Sequence, residues 1–453
     1  MKTTKRLFGT DGVRGTANRF PMTAEVALNL GRAISYYFNR QGKNQTIVIG
    51  KDTRRSGYLL EHALTAGICS MGGNVILVGP LPTAGIAYIT QAMRADAGAM
   101  ISASHNMFQD NGIKFFDPQG FKLPDSTEDE LQELIDSGAL HPEDVIGEKI
   151  GRAKRIEDAT GRFVEFLKRS IPRKVTFDGL KLVCDAANGA AYKVAPMILT
   201  ELGAEVAAIG VKPNGTNINK DCGSLHPEEM CKLVREQNAT VGIALDGDAD
   251  RLIMCDETGE VVDGDAILAI AATWMKKQGT LAHDTVVSTV MSNMGFDKAM
   301  HDNGIRVLRT HVGDRYVVQA MREGGFNLGG EQSGHMIFLD DGTTGDGVMS
   351  ALQILSIIVQ EGKPLSELKK VYTAFPQVLV NTKVRNKEPI EKMPTVAKAI
   401  SAAEKELGQS GRILVRYSGT EMIARVMVEG EKQDQIQKLA NTIVSEIQSV
   451  IGI

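Results

Sequence analysis

Three aspartates at alternate positions, Asp246, Asp248 and Asp250, stand in a short glycine-containing stretch of the sequence. Such carboxylates can turn inward and share one hard divalent cation, and without a cation they would repel one another. A solvated turn and an EF-hand are the alternatives. An EF-hand would use Glu257 as its last ligand, but it needs a glycine where this chain has Arg251, and helices where the flanking residues indicate strands. Because three protein oxygens leave open positions on a magnesium ion, the pattern predicts a catalytic metal loop.

A serine, Ser104, follows the apolar stretch Ala97–Met100 and precedes His105 and Asn106. A serine at the end of a buried strand can project at the carboxyl edge of a sheet, where α/β proteins place their sites. A free serine is a poor nucleophile and needs a base, a metal or an attached phosphate. The chain has no GxSxG elbow here, which argues against a hydrolase triad. A capped turn is the alternative to an active-site serine.

A second candidate anion site contains an arginine, two hydroxyls and a glycine turn: Arg416, Ser418, Gly419 and Thr420, with Arg425 just downstream. Side-chain donors and exposed backbone N–H groups of such a loop can wrap a phosphate. An ordinary turn between two strands is the alternative. The loop is therefore a candidate phosphate clamp.

Other polar loops carry the remaining candidates. The glycine-rich stretch 8–15 contains Arg14, and neither it nor the stretch 50–57 has the spacing of a Walker or dinucleotide motif. Lys114 could protonate a leaving group or neutralise phosphate, or could simply be exposed. Glu331 and Ser333 lie between glycines, as a site that reads sugar hydroxyls would require, with a glycine-rich hairpin as the alternative.

The elements that must position these residues form a weak threefold repeat. Short apolar runs that begin at Ile47, Leu182 and Val286 each enter a polar turn, and a helix-like stretch and a second strand follow each of them. Such βαβ units predict parallel sheets. Their spacing of roughly a hundred residues fits three domains of ordinary size. The charged stretch 125–156 is predicted to link the first two units.

The repeat predicts α/β domains over residues 1–155, 156–255 and 256–369. The first carries the loop of Ser104 (the serine loop), the second the metal loop, and the third the loop of Glu331 and Ser333 (the hydroxyl-reading loop). The pattern changes near residue 370. Apolar runs at Val378–Val384 and Ile413–Val428 indicate strands, and the stretches Val396–Leu407 and Asp434–Ile447 indicate helices. Residues 370–453 are therefore predicted to be a smaller α+β domain with the candidate phosphate clamp.

The composition limits the classes of partner. The chain has 453 residues and a formal net charge of −4, which gives no electrostatic case for binding nucleic acid or an anionic membrane surface. We expect no secretory signal at the start and no membrane span. The five cysteines show no CxxC pairing, so neither a disulfide framework nor a zinc site is indicated. A cytoplasmic location is expected.

These loops, in this order, resemble the α-D-phosphohexomutase superfamily over essentially the whole chain, and most closely its bacterial phosphoglucosamine mutases. The resemblance implies that Ser104 carries a phosphate and joins the three aspartates as a ligand of one Mg²⁺. It implies that Arg14, Lys114 and Arg251 surround the reacting phosphate. It also implies roles in sugar binding for Glu331, Ser333 and the loop of His311, and in phosphate binding for Arg416, Ser418, Gly419 and Thr420.

The resemblance further implies three similar α/β domains with mixed or parallel sheets and a smaller C-terminal α+β domain, around a central cleft. The implied reaction interconverts glucosamine 6-phosphate and glucosamine 1-phosphate through a 1,6-bisphosphate, which also serves as activator, and a homodimer is expected. The alternatives are a phosphomannomutase/phosphoglucomutase, a phosphosugar-binding regulator and a phosphatase. The chain departs from the family at Met107 and Met422, where proline is usual, and this puts the rigidity of both loops in question.

Overall fold

The computed structural model describes residues 6–9, 11–39, 45–408, 411–418 and 422–453. The described residues form two compact units. The first unit runs to Met291 and includes Ile305–Val371, and the second comprises Ser292–Gly304 and the chain from Tyr372 onward. None of the helices in the described ranges is both long enough and apolar enough to cross a membrane.

The α-helices of the described residues account for much of both units. In chain order they are α1 (Ala24–Asn39), α2 (Arg55–Ser70), α3 (Thr83–Ala92), α4 (Asp125–Ser137), α5 (Ala159–Lys168), α6 (Val194–Glu201), α7 (Glu228–Gln237), α8 (Gly264–Gln278), α9 (Met294–Asp302), α10 (Asp314–Gly324), α11 (Gly347–Glu361), α12 (Leu365–Leu368), α13 (Pro394–Leu407) and α14 (Gln433–Ile451). Short 3₁₀ turns lie at Pro142–Asp144, Gly147–Lys149, Ala282–Asp284, Lys369–Val371 and Ile390–Lys392.

The first sheet has the spatial order β1-β2-β6-β5-β3-β4-β7. Its strands are β1 (Phe8–Gly9), β2 (Gly12–Thr16), β3 (Thr46–Lys51), β4 (Asn74–Pro80), β5 (Ala97–Ile101), β6 (Asp110–Phe116) and β7 (Ala153–Arg155). Strand β3 pairs in parallel with β4 and β5, whereas β6 joins β5 and β2 antiparallel. The buried β5 strand ends three residues before Ser104, so the serine lies at the carboxyl edge of the parallel strands.

The charged stretch 125–156 is more ordered than a linker. It contains α4, whose residues Leu131 and Leu134 are buried in the first core, and β7, which pairs in parallel with β4. Charged residues on the exposed face of an amphipathic helix gave the sequence its linker-like composition. The stretch therefore belongs to the first sheet and its covering helices.

The second sheet has the order β12-β11-β10-β8-β9. Its strands are β8 (Lys181–Asp185), β9 (Glu205–Ile209), β10 (Val241–Leu245), β11 (Leu252–Cys255) and β12 (Val261–Val262). Strand β8 is parallel to β9 and β10, and β10 pairs antiparallel with β11 from Leu245 opposite Leu252. The metal loop is therefore the turn of a hairpin between two buried strands, as predicted. The sheet extends to Val262, beyond residue 255, and the predicted domain boundary there stays a prediction.

The third sheet has the order β14-β13-β15-β16. Its strands are β13 (Thr285–Thr289), β14 (Arg306–Thr310), β15 (Leu328–Gly330) and β16 (Met336–Phe338). Strand β13 is parallel to β14 and β15, and β15 turns back antiparallel into β16. The hydroxyl-reading loop is the turn of this hairpin. We call the segments that carry the first three sheets the first, second and third modules.

The second unit contains the antiparallel sheet β17-β19-β18. Its strands are β17 (Gln377–Lys383), β18 (Gly411–Tyr417) and β19 (Ile423–Gly430). Residues of α13 and α14 pack with the sheet in one core, which includes Val396, Ile436 and Ile443. The run Ile413–Val428, which the sequence indicates as extended, contains parts of two antiparallel strands, β18 and β19. The first unit combines helices with mixed sheets, and the second combines helices with a smaller antiparallel sheet. This arrangement confirms the predicted fold class.

Candidate active site

Ser104 is buried and lies beside the metal loop, although the two are far apart in the sequence. Its hydroxyl donates a hydrogen bond of 2.6 Å to Oδ2 of Asp246, and its backbone N–H donates to Oγ of Ser102 at 2.9 Å. Its φ of 50° lies in the left-handed region, which non-glycine residues rarely occupy. Strained backbone of this kind persists where surrounding contacts over-determine it, and it is concentrated at functional sites.

His105 is the near neighbour of the serine hydroxyl, with Nδ1 3.3 Å from Oγ of Ser104. Burial, together with the positive charges of Arg251 and Arg14, lowers the pKa of His105 to about 4. The imidazole is therefore neutral near pH 7. Because the hydroxyl donates its only proton to Asp246, the imidazole can contact Oγ as an Nδ1–H donor, and it adds no positive charge to the site.

The three aspartates of the metal loop form a buried cluster. One carboxylate oxygen from each lies within 4.8 Å of the others. Burial, and then the charges of Asp250 and Asp248, raise the pKa of Asp246 well above its usual range. A cluster of this kind needs a compensating cation if all three groups are to be ionised.

The free oxygens of the cluster fit a hard divalent cation. Oδ1 of Asp248 and Oδ1 of Asp250 are buried and have no hydrogen-bond partner among the described residues. Carboxylate oxygens are the donors that magnesium prefers, and a buried acceptor without a partner costs stability unless a cation or water satisfies it. Asp246, Asp248, Asp250 and the hydroxyl oxygen of Ser104 therefore supply a donor set for one such ion.

Lys114 is buried beside this cluster, so the exposed alternative is wrong. Its Nζ lies 3.1 Å from Asp11, 3.4 Å from Asp248 and 3.7 Å from Asp250. Burial opposes the charged form, but Asp11, Asp248 and Asp250 more than offset it and raise the pKa of Lys114. It reaches the cluster because β6 pairs with β5, which places Lys114 opposite Met100. Lys114 is therefore a protonated cation at the metal loop.

Two arginines complete the positive side of the site. Arg14, on β2, pairs with Asp11, which also contacts Lys114. The backbone N–H of Arg251 donates to Oδ1 of Asp246 at 3.1 Å, and its Nε lies 3.9 Å from Asp250. The structure thus brings Arg14, Lys114 and Arg251 around the same acidic cluster.

The hydroxyl-reading loop lies against the metal loop. Arg251 forms an isolated β-bridge with His335, and the N–H of Leu252 donates to the carbonyl of Gly334 at 3.0 Å. Within the loop, Ser333 donates to Glu331 at 3.3 Å. The metal loop and the hydroxyl-reading loop therefore form one continuous surface of the first unit.

His311 joins this surface through its own loop. Oε1 of Glu331 accepts a hydrogen bond of 3.0 Å from the N–H of Gly313, two residues after His311. The His311 ring is exposed and contacts Tyr316 edge-on. An exposed ring on the loop that Glu331 binds suits a residue that contacts a ligand.

The candidate phosphate clamp lies in the second unit. Arg416 on β18 stands directly opposite Arg425 on β19, and the N–H of Ser418 donates to the carbonyl of Ile423 at 2.9 Å. Residues directly opposite each other in an antiparallel pair have their side chains on the same face of the sheet, so the two arginines bring two cations to one place. Gly419 and Thr420, which belong to the same predicted clamp, lie outside the described residues.

Comparison with known proteins identifies the family. Four profiles match, described as phosphoglucomutase/phosphomannomutase α/β/α domains I, II and III and C-terminal domain, over residues 5–141, 161–259, 263–375 and 379–446. A phosphoglucosamine mutase of Syntrophotalea carbinolica is 58% identical over 99% of this chain and 98% of its own length. One from Geobacter sp. strain M21 is 60% identical over 99% of both chains. The chain belongs to the α-D-phosphohexomutase superfamily.

Solved structures show the same fold. A phosphoglucomutase/phosphomannomutase family protein of Burkholderia thailandensis aligns over 99% of both chains with a TM-score of 0.81 and 22% identity. An N-acetylphosphoglucosamine mutase of Aspergillus fumigatus, solved with GlcNAc-6P and magnesium, covers 98% of this phosphohexomutase and 95% of its own chain, with a TM-score of 0.65 and 18% identity.

Six charged residues of this phosphohexomutase form a closed ring of alternating sign beside the metal loop, which we call the charge ring. Its members, in order, are Asp11, Lys122, Asp314, His335, Asp250 and Lys114. Oδ1 of Asp11 lies 2.5 Å from Lys122, which also pairs with Asp314. His335 lies 3.7 Å from both Asp314 and Asp250, and Lys114 closes the ring between Asp250 and Asp11.

All three modules contribute to the charge ring. Asp11, Lys114 and Lys122 come from the first, Asp250 from the second, and Asp314 and His335 from the third. Burial would lower the pKa of His335, but Asp250 and Asp314 outweigh it and raise that pKa to about 9. The ring therefore has three cations and three anions near pH 7, and its charges cancel.

Lys122→Met is expected to destabilise the first unit. It would leave Asp11 and Asp314 without their shared cation, and because these side chains are only partly buried we expect a cost of roughly 1–3 kcal/mol, below that of a fully buried pair. The urea midpoint, followed by circular dichroism, should fall. Lys363→Met is the control, because Lys363 forms an exposed pair with Glu367 and such pairs contribute little. Equal midpoints for the two variants would contradict a stabilising role for the ring.

No local pattern in the sequence indicates a role for Asp11, Lys122, Asp314 or His335. These residues lie in polar stretches of the sequence, where a lysine or an aspartate is usually exposed to solvent. His335 is the last residue of the hydroxyl-reading loop. Its only local sequence signal is its position between a glycine and an apolar strand. Its pairing with Asp250 depends on how two hairpins from different modules meet.

Proposed function

We propose that this phosphohexomutase interconverts glucosamine 6-phosphate and glucosamine 1-phosphate through a phosphorylated Ser104. The observation that carries the mechanism is the 2.6 Å contact between the Ser104 hydroxyl and Asp246 within the buried aspartate cluster. Sequence identity of 58–60% over the whole chain to proteins named phosphoglucosamine mutase supports the choice of sugar. So does Gln332 in the hydroxyl-reading loop, by resemblance to the same branch. The product is a precursor for amino-sugar nucleotides and the cell wall.

The proposed chemistry conserves phosphate. The bond between phosphorus and Oγ of Ser104 breaks as a bond forms to the free hydroxyl of the sugar. The proton of that hydroxyl passes to water, and Oγ takes up a proton from Lys114. The resulting 1,6-bisphosphate turns over in the site and returns its other phosphoryl group to Ser104. A free sugar 1,6-bisphosphate can load Ser104 in the same way, so we propose it as the activator.

Side chains of the first unit supply the charge that this transfer needs. Asp246, Asp248, Asp250 and Ser104 would hold one Mg²⁺, which when bound offsets negative charge on the transferring phosphoryl group. Lys114 holds a proton next to the cluster and is proposed to give it to the departing Oγ. Arg14 and Arg251 are proposed to bind oxygens of the same phosphoryl group.

The other predicted residues are proposed to bind the rest of the substrate. Glu331, Ser333 and His311 would contact the sugar, whose hydroxyls need acceptors and donors in either orientation. The phosphate that is not being transferred would bind Arg416, Ser418, Gly419, Thr420 and Arg425. The paired arginines of β18 and β19 support an anion at that position.

The remaining expectations stay proposals. The five cysteines are free, which suits a reducing compartment and a cytoplasmic location. Domain boundaries at 155/156, 255/256 and 369/370 and a homodimer stay predictions.

Turnover of three substrates tests the choice of sugar. With a sugar bisphosphate as primer, glucosamine 6-phosphate is expected to give the highest kcat/KM, by at least about tenfold over glucose 6-phosphate and mannose 6-phosphate. A preference for either neutral sugar would place the chain with the phosphomannomutase/phosphoglucomutase alternative. Steady release of free phosphate would indicate a phosphatase, and binding without turnover would indicate a regulator.

A further inference from the structure

One buried guanidinium organises the backbone that follows Ser104. Arg54, at the start of α2, is completely buried. Its Nη2 donates to the carbonyls of Ser104 and Asn106, both at 2.8 Å. Its Nη1 donates to the carbonyls of Met107 at 2.5 Å and Asp110 at 3.1 Å. The loop therefore wraps four carbonyl oxygens around a single cation.

The guanidinium itself is fixed from the opposite side. Nε of Arg54 donates to Oδ2 of Asp52 at 2.7 Å, and both residues are completely buried. The hydroxyl of Ser102 donates to the same Asp52 oxygen at 2.7 Å and accepts from the N–H of Ser104. Both ends of the serine loop thus depend on one Asp52–Arg54 pair.

A residue of the second module binds the same loop. Nδ2 of Asn219 donates to the carbonyl of Ser104 at 2.8 Å and to the carbonyl of Asn106 at 2.9 Å. These are two of the four carbonyls that Arg54 binds. The N–H of Asn219 donates to Ala187, and its φ of 58° lies in the left-handed region, which asparagine tolerates.

The metal loop lies so close to Ser104 and Asn219 that no side chain would fit at Gly247. A Cβ atom at Gly247 would lie 2.5 Å from the carbonyl oxygen of Ser104 and 2.8 Å from Nδ2 of Asn219. The position of the Ser104 backbone therefore sets the position of its hydroxyl relative to Asp246.

We propose that Arg54 and Asn219 are positioning residues that hold Ser104 in register with the metal loop for phosphoryl transfer. The inference rests on the proposed function. Neither side chain needs to touch the substrate; each acts through the carbonyls of the serine loop. A misplacement of reacting groups by about 1 Å can reduce a rate about a hundredfold. Arg54 also binds the carbonyl of Met107, the position where the family usually has proline.

Asn219→Asp is the sharpest test, because it keeps the shape and the left-handed preference but replaces a shared donor with an oxygen that faces two carbonyls. We expect kcat to fall about a hundredfold with KM within about threefold. The phosphorylated enzyme should also lose a larger fraction of its phosphate to water in single-turnover experiments. Asn219→Gly keeps the backbone conformation but has no donor, and Arg54→Lys cannot bind four carbonyls. Both variants should also have a lower kcat with a similar KM, and both should lose a larger fraction of their phosphate to water.

Asn238→Asp is the matched control. Asn238 is also left-handed, with φ 49°, but it is exposed at the end of α7. Its kinetics should equal those of the wild type. The positioning role would be overturned if the wild type is active and the folded Asn219→Asp and Asn219→Gly variants have a normal kcat and lose a normal fraction of their phosphate to water. A wild type without phosphoserine turnover would instead overturn the proposed function.

Discussion

Ser104→Ala is expected to abolish mutase activity, with a loss on the order of 10⁴-fold or more in kcat. Alanine has no oxygen to carry the phosphoryl group, and neither Asp246 nor the neutral His105, which both contact the Ser104 hydroxyl, can replace it as a stable carrier. The measurement is turnover of glucosamine 6-phosphate in the presence of primer. Phosphopeptide mapping of the purified wild type should find the phosphate on the peptide that contains Ser104.

Ser126→Ala is a suitable control for this variant. Ser126 lies in the same module, in the first turn of α4, and it is exposed. Its removal should leave both turnover and phosphate incorporation unchanged. Near-normal turnover in Ser104→Ala would exclude the phosphoserine scheme, whatever the phosphopeptide map shows.

Asp248→Asn is expected to weaken magnesium binding by at least about tenfold and to reduce kcat about a hundredfold. Oδ2 of Asp248 accepts from Thr83 at 2.7 Å and lies 3.4 Å from Lys114, so this side of an asparagine can stay in place. The amide nitrogen would then replace Oδ1, the oxygen that has no partner among the described residues, and would offer a metal ion N–H groups instead of a lone pair. The variant should therefore fold and should need more magnesium.

Two measurements separate these effects. Calorimetric titration of magnesium into each protein reports binding without turnover, and the dependence of activity on magnesium reports its catalytic consequence. Asp178→Asn, a change of the same charge at an exposed position of the second module, should move neither curve. Identical magnesium binding by Asp248→Asn and wild type would remove Asp248 from the ligand set.

Most of the fold could be predicted because its signals are local. Buried parallel strands appear in the sequence as continuous apolar runs, and each of the three repeats contains one. The metal loop was recognisable for the same reason, since all three carboxylates lie within five consecutive residues between two strands. The linker assigned to 125–156 was wrong because an amphipathic helix with a highly charged outer face resembles a linker in composition.

The rest of the site depends on pairing between distant segments. Lys114 reaches Asp248 only because β6 turns back antiparallel beside β5, a register that no local pattern specifies. Arg54 lies in the polar stretch 50–57, yet it is buried and binds backbone carbonyls. Its role could not be separated from that of an exposed arginine without the position of the serine loop.

The charge ring has a consequence for chimeric phosphohexomutases. Each module contributes charges that are neutralised by residues of another, so the modules are not electrostatically interchangeable parts. A chimera that takes only its third module from a relative will assemble well where that relative also has an acid and a base at the positions of Asp314 and His335. Where it does not, Lys122 of the recipient would lose Asp314 and Asp250 would lose His335, so each would keep only one of its two partners in the ring. Matching these few positions is a simple rule for choosing parents when sugar specificity is to be transplanted.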